Sequence, residues 1–280
     1  MLLSFTRNQR IPLNIRRQIA LWFVRVSSRK FSIDVGSPYH GRLDNYIDFM
    51  VYVSGQYFEY PYINFVRACH KGGVALDVGA NIGNHALAYS EFFDRVFAIE
   101  PYEPLFRRTQ ARREVSARIS AHQVALSDQA GTLAFEQPTA FNQGIGRVSP
   151  EGKGSVTAVT GDEFVRTEVR QTVDFIKIDV EGHEMEVIRG LAETLKRDRP
   201  TVLFEASKQV MKSAESMQAC FAHFPVDYAF FRLGGQSTWP VQRDMARAYP
   251  IDRSHPRPRR GSCDLIGFAA EKIPAFLRDA

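Results

Sequence analysis

Residues 75–83 read Ala75-Leu76-Asp77-Val78-Gly79-Ala80-Asn81-Ile82-Gly83. An apolar strand carries one acidic residue near its end and turns through two glycines into a helix. Gly79 lets the backbone reverse tightly, and Gly83 lets the first helical turn pack close to the strand. Open α/β sheets bind ligands beyond the C-terminal ends of their strands, where this turn lies. The glycine spacing is G-x-x-x-G, whereas a dinucleotide fingerprint needs G-x-G-x-x-G with a pyrophosphate at the helix start. Asp77, two residues before the first glycine, would repel a pyrophosphate. It suits the cationic amino group of a methionine-type ligand, which favours S-adenosylmethionine (SAM) over NAD.

Two further strand ends extend the pattern. Val96-Phe97-Ala98-Ile99-Glu100-Pro101 is a second apolar strand ending in a carboxylate. Glu100 lies about 20 residues past the glycine turn, the separation at which an acidic residue hydrogen-bonds ribose hydroxyls. Pro101 has no N–H and ends the strand. Val124-Ala125-Leu126-Ser127-Asp128 ends in polar residues. Asp128 is either an acceptor for an adenine amino group or a plain turn residue.

Working outward, short apolar runs alternate with amphipathic stretches. Strands are expected at Val74–Val78, Val96–Ile99, His122–Leu126, Phe175–Asp179 and Thr201–Glu205. Helices are expected at Tyr62–Cys69, Gly83–Phe92, Leu105–Val115, about Glu184–Lys196 and about Gln209–Ala222. This alternation is that of an α/β protein with a parallel sheet covered on both faces. Tyr228–Leu233 and Leu265–Ala269 read as strands with no helix between them, so they pair antiparallel. The intervening 234–260, with its run Arg257-Pro258-Arg259-Arg260, reads as a long surface loop: a substrate lid or an insertion. Residues 34–60, rich in Gly, Tyr and Asp, read as loop and turns. The expected division is a basic arm and entry segment over 1–60 and a catalytic domain over 61–280.

Composition narrows the class. The 280 residues are 44% hydrophobic and carry a net charge of +5. Residues 1–33 hold seven Lys/Arg and no Asp or Glu, leaving 29 basic against 31 acidic residues from Asp34 onward. A basic core for nucleic acid is therefore not indicated. Ile15, Ile19, Trp22, Phe23 and Val26 recur at helical spacing among arginines. Such a helix either docks on the protein's own core or lies on an anionic membrane surface. Its longest unbroken apolar run is six residues, Ile19–Val24, against about 20 needed to span a bilayer. Neither a spanning segment nor a signal peptide is expected. Cys69, Cys220 and Cys263 share no metal-ligand spacing, and a reducing, cytoplasmic setting is the expectation, with peripheral contact at the inner membrane face through 1–33 as one reading. No motif speaks to oligomeric state.

Together and in order, several segments resemble the FkbM family of SAM-dependent methyltransferases. They are Asp77–Gly83, Ile99-Glu100-Pro101, Val124–Asp128 and Asp174-Phe175-Ile176-Lys177-Ile178-Asp179-Val180-Glu181-Gly182-His183-Glu184, continued by Gly190-Leu191 and Pro200–Glu205. The resemblance runs from about Gly55 to Ala206 and more sparsely to Ala269; it omits the first 35 residues and 234–260. It implies a class I Rossmann-like fold, with a seven-stranded, mostly parallel sheet closed by an antiparallel hairpin. It also implies O-methylation, often of a sugar hydroxyl in a glycan or glycosylated metabolite. Asp77, Gly79 and Gly83 would line the methionine and turn region, Glu100 the ribose and Asp128 the adenine. Asn81, Pro101, Ser127 and Asp179 stand beside them as cofactor-lining candidates.

An alcohol acceptor must lose its proton to a general base or be acidified by a metal. One reading of the Lys177–Glu184 segment makes His183 the base, oriented by Asp179 or Glu181. The other makes Asp179, Glu181 and Glu205 ligands for a hard cation. The metal-free reading is preferred, since no dense carboxylate set demands a cation. Glu184 reads as support for the following helix. Glu59, Tyr60 and His85 are candidates for contact with the methionine end of the cofactor, with a solvent-facing role open for His85. An NAD(P)-dependent oxidoreductase and a SAM-fold protein without turnover are the alternatives.

Overall fold

The computed structural model describes residues 30–137, 146–234, 244–258 and 261–278. The helix expected between Ile15 and Val26 lies outside them, as do 235–243 and 259–260 of the expected loop. The strands in chain order are β1 (Lys30–Asp34), β2 (Pro38–Arg42), β3 (Val74–Val78), β4 (Arg95–Ile99), β5 (Ile119–His122), β6 (Ala125–Ser127) and β7 (Gly131–Glu136). They continue as β8 (Arg147–Val148), β9 (Gly154–Thr160), β10 (Phe175–Ile178), β11 (Thr201–Ala206), β12 (Tyr228–Gly234), β13 (Arg247–Ile251) and β14 (Cys263–Ala269). The main sheet has eight strands in the order β13-β12-β14-β11-β10-β3-β4-β5. From β11 to β5 neighbouring strands are parallel. The other three pair antiparallel. The seven strands from β12 to β5 give the order and the closing hairpin that the class I methyltransferase fold requires.

All five residues of β3 are buried, as expected of a central parallel strand covered on both faces. Each face packs its own apolar cluster, one around Leu76, Ile176, Ile188 and Phe204 and the other around Leu87, Phe93, Phe175 and Phe268.

Four expectations need correction. The single strand expected over His122–Leu126 is two: β5 ends at the edge of the main sheet, and β6 enters a separate four-stranded sheet, β6-β9-β7-β8. The break falls at Gln123-Val124, after the His122 ring has packed 5.8 Å from Phe97. Residues 34–60 are not loop. A β1–β2 hairpin and helix Tyr46–Ser54 occupy them, and three of their tyrosines, Tyr39, Tyr52 and Tyr57, are buried. The two long helices expected after β10 and β11 each break in two, at Leu191 and at Lys212-Ser213. Ser213 caps the second piece by accepting the Ser216 N–H.

Part of the expected 234–260 loop is strand. β13 joins the sheet edge, where Pro250 is tolerated because one side of an edge strand needs no donor. Arg253 is no free surface charge either. Its guanidinium donates to the carbonyls of Phe221 (2.6 Å) and Pro225 (2.7 Å), closing the end of helix Ala214–Phe221. Among the described residues, no helix is long and apolar enough to cross a membrane.

Candidate active site

A cleft of about 450 Å³ opens at the C-terminal rim of the parallel strands. Gly79, Glu100 and Asp179, from the ends of β3, β4 and β10, line its floor. The turn after β3 is held by its neighbours: the N–H groups of Gly79 and Ala80 both donate to the Ile99 carbonyl (2.9 and 3.0 Å). Gly79 has φ +81°, and a Cβ there would fall 1.9 Å from the Asp179 carbonyl oxygen. Only glycine lets these two strand ends approach. Gly83 faces away from the cleft, with a left-handed backbone packed on Thr109 and Arg112. Thr109 donates to the Asn81 carbonyl (2.6 Å) and Arg112 to that of Ile82 (3.2 Å).

Glu100 is 6% exposed. Its carboxylate accepts the Asn81 and Tyr102 N–H groups, both at 2.9 Å, and so ties the turns after β3 and β4 together. Burial pushes its pKa up to about 7, against the opposing pull of those two bonds. Each oxygen keeps lone-pair capacity for a further donor, which suits a ribose diol.

Asp77 lies beneath the floor, fully buried, and neither carboxylate oxygen has a hydrogen bond. Lys177, its register partner on β10, brings Nζ to 3.8 Å from it and 3.0 Å from Asp179 Oδ2. Burial works against the ammonium, but Asp179 and Asp77 more than reverse this, and Lys177 stays protonated. Desolvation likewise opposes the Asp179 charge, and Lys177 overcomes it, holding that carboxyl below the usual range. Asp77, expected to line the methionine region, is not among the residues lining the cleft: it lies fully buried behind Lys177, and Asp179 is the aspartate that faces the cleft.

Of the other candidates, Asn81, Pro101, Glu181 and His183 line the cleft. Ser127 and Asp128 do not. Asp128 pairs with Arg189 at 3.0 Å outside the lining, while Val124, Ala125 and Leu126 form that wall. His183 is not oriented by Asp179 or Glu181: Nε2 lies 3.0 Å from Ser127 Oγ and Nδ1 3.6 Å from Glu186. Burial lowers its pKa, so the ring is neutral at pH 7. Glu181, at the cleft mouth, has its carboxyl pushed up to about 7 by desolvation and then by Asp179, Glu205 and Glu184. Glu184 accepts the Gly182 N–H (2.8 Å) and supports the turn, as expected.

The opposite wall comes from residues the sequence reading left open or missed. Tyr46, Phe58, Glu59, His85 and Asp264 line it. His85 Nε2 is 3.2 Å from Glu59. Asn84 clasps the Phe58 peptide, accepting its N–H and donating to its carbonyl, each at 3.1 Å. Asp264 escapes a reading confined to C-terminal strand ends, because β14 runs the other way and delivers its start to the same rim. The signal was an acidic residue opening an apolar run, Asp264-Leu265-Ile266. Desolvation and then Glu59 push Asp264 up to about 7. Among the described residues five non-glycines have positive φ, and three of them, Glu59, Asn81 and Glu181, line the cleft. Backbone strain concentrates where ligands are held.

The donor set fits SAM. The floor approaches without side-chain bulk at Gly79, the Asn81 Oδ1 atom is buried without a partner, and acidic groups face a ligand with a cationic amino group and a sulfonium.

The sequence pattern of the methyltransferase FkbM domain matches residues 77–224, just over half of the chain. The hexuronic acid methyltransferase AglP of Haloferax volcanii is 35% identical over 132 residues, covering 47% of this chain and 55% of that protein. The chain thus spans about half the length of this curated relative. Two solved structures are similar at low identity. Methyltransferase FkbM from Methylobacillus flagellatus KT has 15% identity and TM-score 0.44, covering 90% of this chain and 60% of that one. TrmK of M. capricolum, in complex with S-adenosyl-homocysteine, has 11% identity and TM-score 0.39, covering 74% of this chain and 67% of that one. The segments matched by the domain pattern are those that build the glycine turn, the Glu100 strand end and the Asp179–Glu184 rim, and on that match this chain belongs to the FkbM methyltransferase family.

Proposed function

We propose that this protein transfers the methyl group of SAM to a hydroxyl of a sugar, in a glycan or a glycosylated metabolite. The observation that carries the reading is the convergence of Gly79, Glu100 and Asp179 on one cleft in a chain of this family. The name of the Haloferax relative, a hexuronic acid methyltransferase, supports a sugar as acceptor.

SAM supplies an electrophilic methyl carbon on a sulfonium. Glu100 would hold the ribose, the Gly79–Asn81 turn the methionine portion, and Val124–Leu126 the adenine. Asp179, kept ionised by Lys177, faces the amino group or the approaching acceptor. The acceptor proton goes to Glu181. Its carboxyl faces the cleft and is poised near neutrality, the condition for efficient proton transfer. Both His183 nitrogens are turned toward Ser127 and Glu186, which leaves this histidine a role in shaping the rim. No requirement for nucleic acid or a metal enters this reading.

The test is a transfer assay with methyl-labelled SAM against the host's glycan and lipid extracts. Label in a base-stable sugar ether is the expected result; no label in any extract would contradict the reading. In the same assay Glu181→Gln is expected to lower turnover about 10²–10⁴-fold, the usual worth of a general base. His183→Ala should lower it less than about tenfold, and a reversal of that order would return the base role to His183.

A further inference from the structure

Lys177 is the residue in Phe175-Ile176-Lys177-Ile178 that a buried strand does not call for. It is 4% exposed, and a buried ammonium persists only where partners hold it. Two carboxylates share that task unequally. Asp179 follows two positions on, where side chains return to the same face of the sheet. Its N–H continues the ladder by donating to the Val78 carbonyl (3.0 Å). Lys177 Nζ donates to Asp179 Oδ2 at 3.0 Å. Asp77, the register partner on β3, projects from that face too. Its Oδ1 lies 3.8 Å from Nζ, beyond a hydrogen bond. Both Asp77 oxygens are buried without a hydrogen-bond partner. The Tyr89 hydroxyl, which feels the Asp77 charge, is likewise buried and unpartnered, so it does not serve Asp77. A buried carboxylate with no hydrogen bond is costly and calls for a reason.

Resting on the methyltransferase reading above, we infer that Lys177 and Asp77 are positioning residues for the amino group of the cofactor: when Asp179 receives that group, Lys177 passes its hydrogen bond from Asp179 to Asp77. Two ammonium groups on one carboxylate repel each other, and burial sharpens the repulsion. Lys177 has a second acceptor within reach. A shift of roughly 1 Å brings Nζ from its present place into hydrogen-bond range of Asp77, and four rotatable carbons allow it. The shift gives Asp77 the bond it lacks and frees lone pairs on Asp179 for the ligand. Every buried charge stays paired before and after, which is the condition for burying charges at all. An arginine could not do this, because its planar fork is wider and less adaptable than a single ammonium. Asp77 thus serves the methionine end of the cofactor from behind the floor, without touching it. A ligand with adenine, ribose and sulfur but no amino group does not draw on the pair.

The test is calorimetry on the whole chain with two probes: S-adenosyl-homocysteine, which carries the amino group, and methylthioadenosine, which lacks the amino-acid end. Asp77→Asn keeps the shape of the side chain and removes its charge. It should weaken S-adenosyl-homocysteine about tenfold or more and leave methylthioadenosine within about twofold. Equal weakening of both probes would mean a merely structural role, and no weakening of either would mean no role; each overturns the inference. In the Asp179→Asn background, Asp77→Asn should cost less than about threefold further, since the two residues then act through one lysine. Simple additivity of the two losses counts against the exchange. A crystal structure of the wild-type complex with S-adenosyl-homocysteine needs no variant to fold. It should show Nζ within about 3.2 Å of Asp77. Nζ still on Asp179, with Asp77 unpartnered, overturns the inference and leaves the methyltransferase reading standing. Failure of the wild-type protein to bind S-adenosyl-homocysteine at all would overturn that reading and the inference with it.

Discussion

The two walls of the cleft are built by different means. The floor is made of strand ends whose positions follow from backbone pairing: β3, β4 and β10 lie in parallel register, and Gly79 and Asp179 meet because no side chain stands between them. The cap, residues 30–60, packs Tyr39, Val51 and Tyr57 into the second apolar cluster and gathers its ionic contacts on a few buried polar side chains. Asp48 is fully buried. It accepts the Tyr39 hydroxyl (2.9 Å) and the Arg42 N–H (2.7 Å), pairs with Arg108 and lies 3.9 Å from Arg112. A wall made of register spreads its stability over many bonds, whereas a wall made of a charge network concentrates it in one residue.

The sharpest way to break this contrast is Asp48→Ala. It leaves the Arg108 and Arg112 charges without their buried partner, so a loss of about 3–5 kcal/mol is expected, read from urea unfolding. A loss below about 1 kcal/mol would mean that apolar packing alone holds the cap. On the floor, Gly79→Ala should cost roughly 2–4 kcal/mol, from left-handed strain together with overpacking against Asp179. A variant of wild-type stability would show that the strand ends can part. Glu100→Ala should weaken SAM binding by about 1.5–3 kcal/mol in calorimetry, the range for hydrogen bonds to a charged group.

A further effect expected is one of pH. Glu100, Glu181 and Asp264 each have a folded pKa raised to about 7. A raised carboxyl pKa gives stability that is complete below its ordinary value near 4 and is lost as pH climbs through about 7. The ligand-free protein should thus melt a few degrees lower at about pH 8 than at about pH 5.5, with a shallower slope in Glu181→Gln. An unchanged slope would place Glu181 in bulk solvent.

Legibility in the sequence follows the same division. The floor could be read because an apolar run, an acidic tip and a glycine sit within nine residues, and the second strand end repeats the motif at a fixed distance. The cap could not. Asp48 finds Arg108 across 60 residues, and Asn84 finds Phe58 across 26; no local spacing encodes either pairing. Gly, Tyr and Asp in 34–60 have the composition of loop, yet Tyr39, Tyr52 and Tyr57 are buried and Asp48 is a buried ionic centre. Asp128 and Ser127 were placed at the cofactor by their position at a strand end. The structure gives Asp128 to Arg189, a partner 61 residues on that outcompetes any local expectation. His183 illustrates the same limit, since its chemistry is decided by Ser127, from β6, and not by the carboxylates beside it in sequence.

The reciprocal clasp between Asn84 and the Phe58 peptide has a mechanical consequence. Asn84 is the first residue of the helix that leaves the glycine turn, so the cap is latched to the same lever that receives the donor. Amide exchange at Phe58 would register this coupling, slowing when the donor is bound.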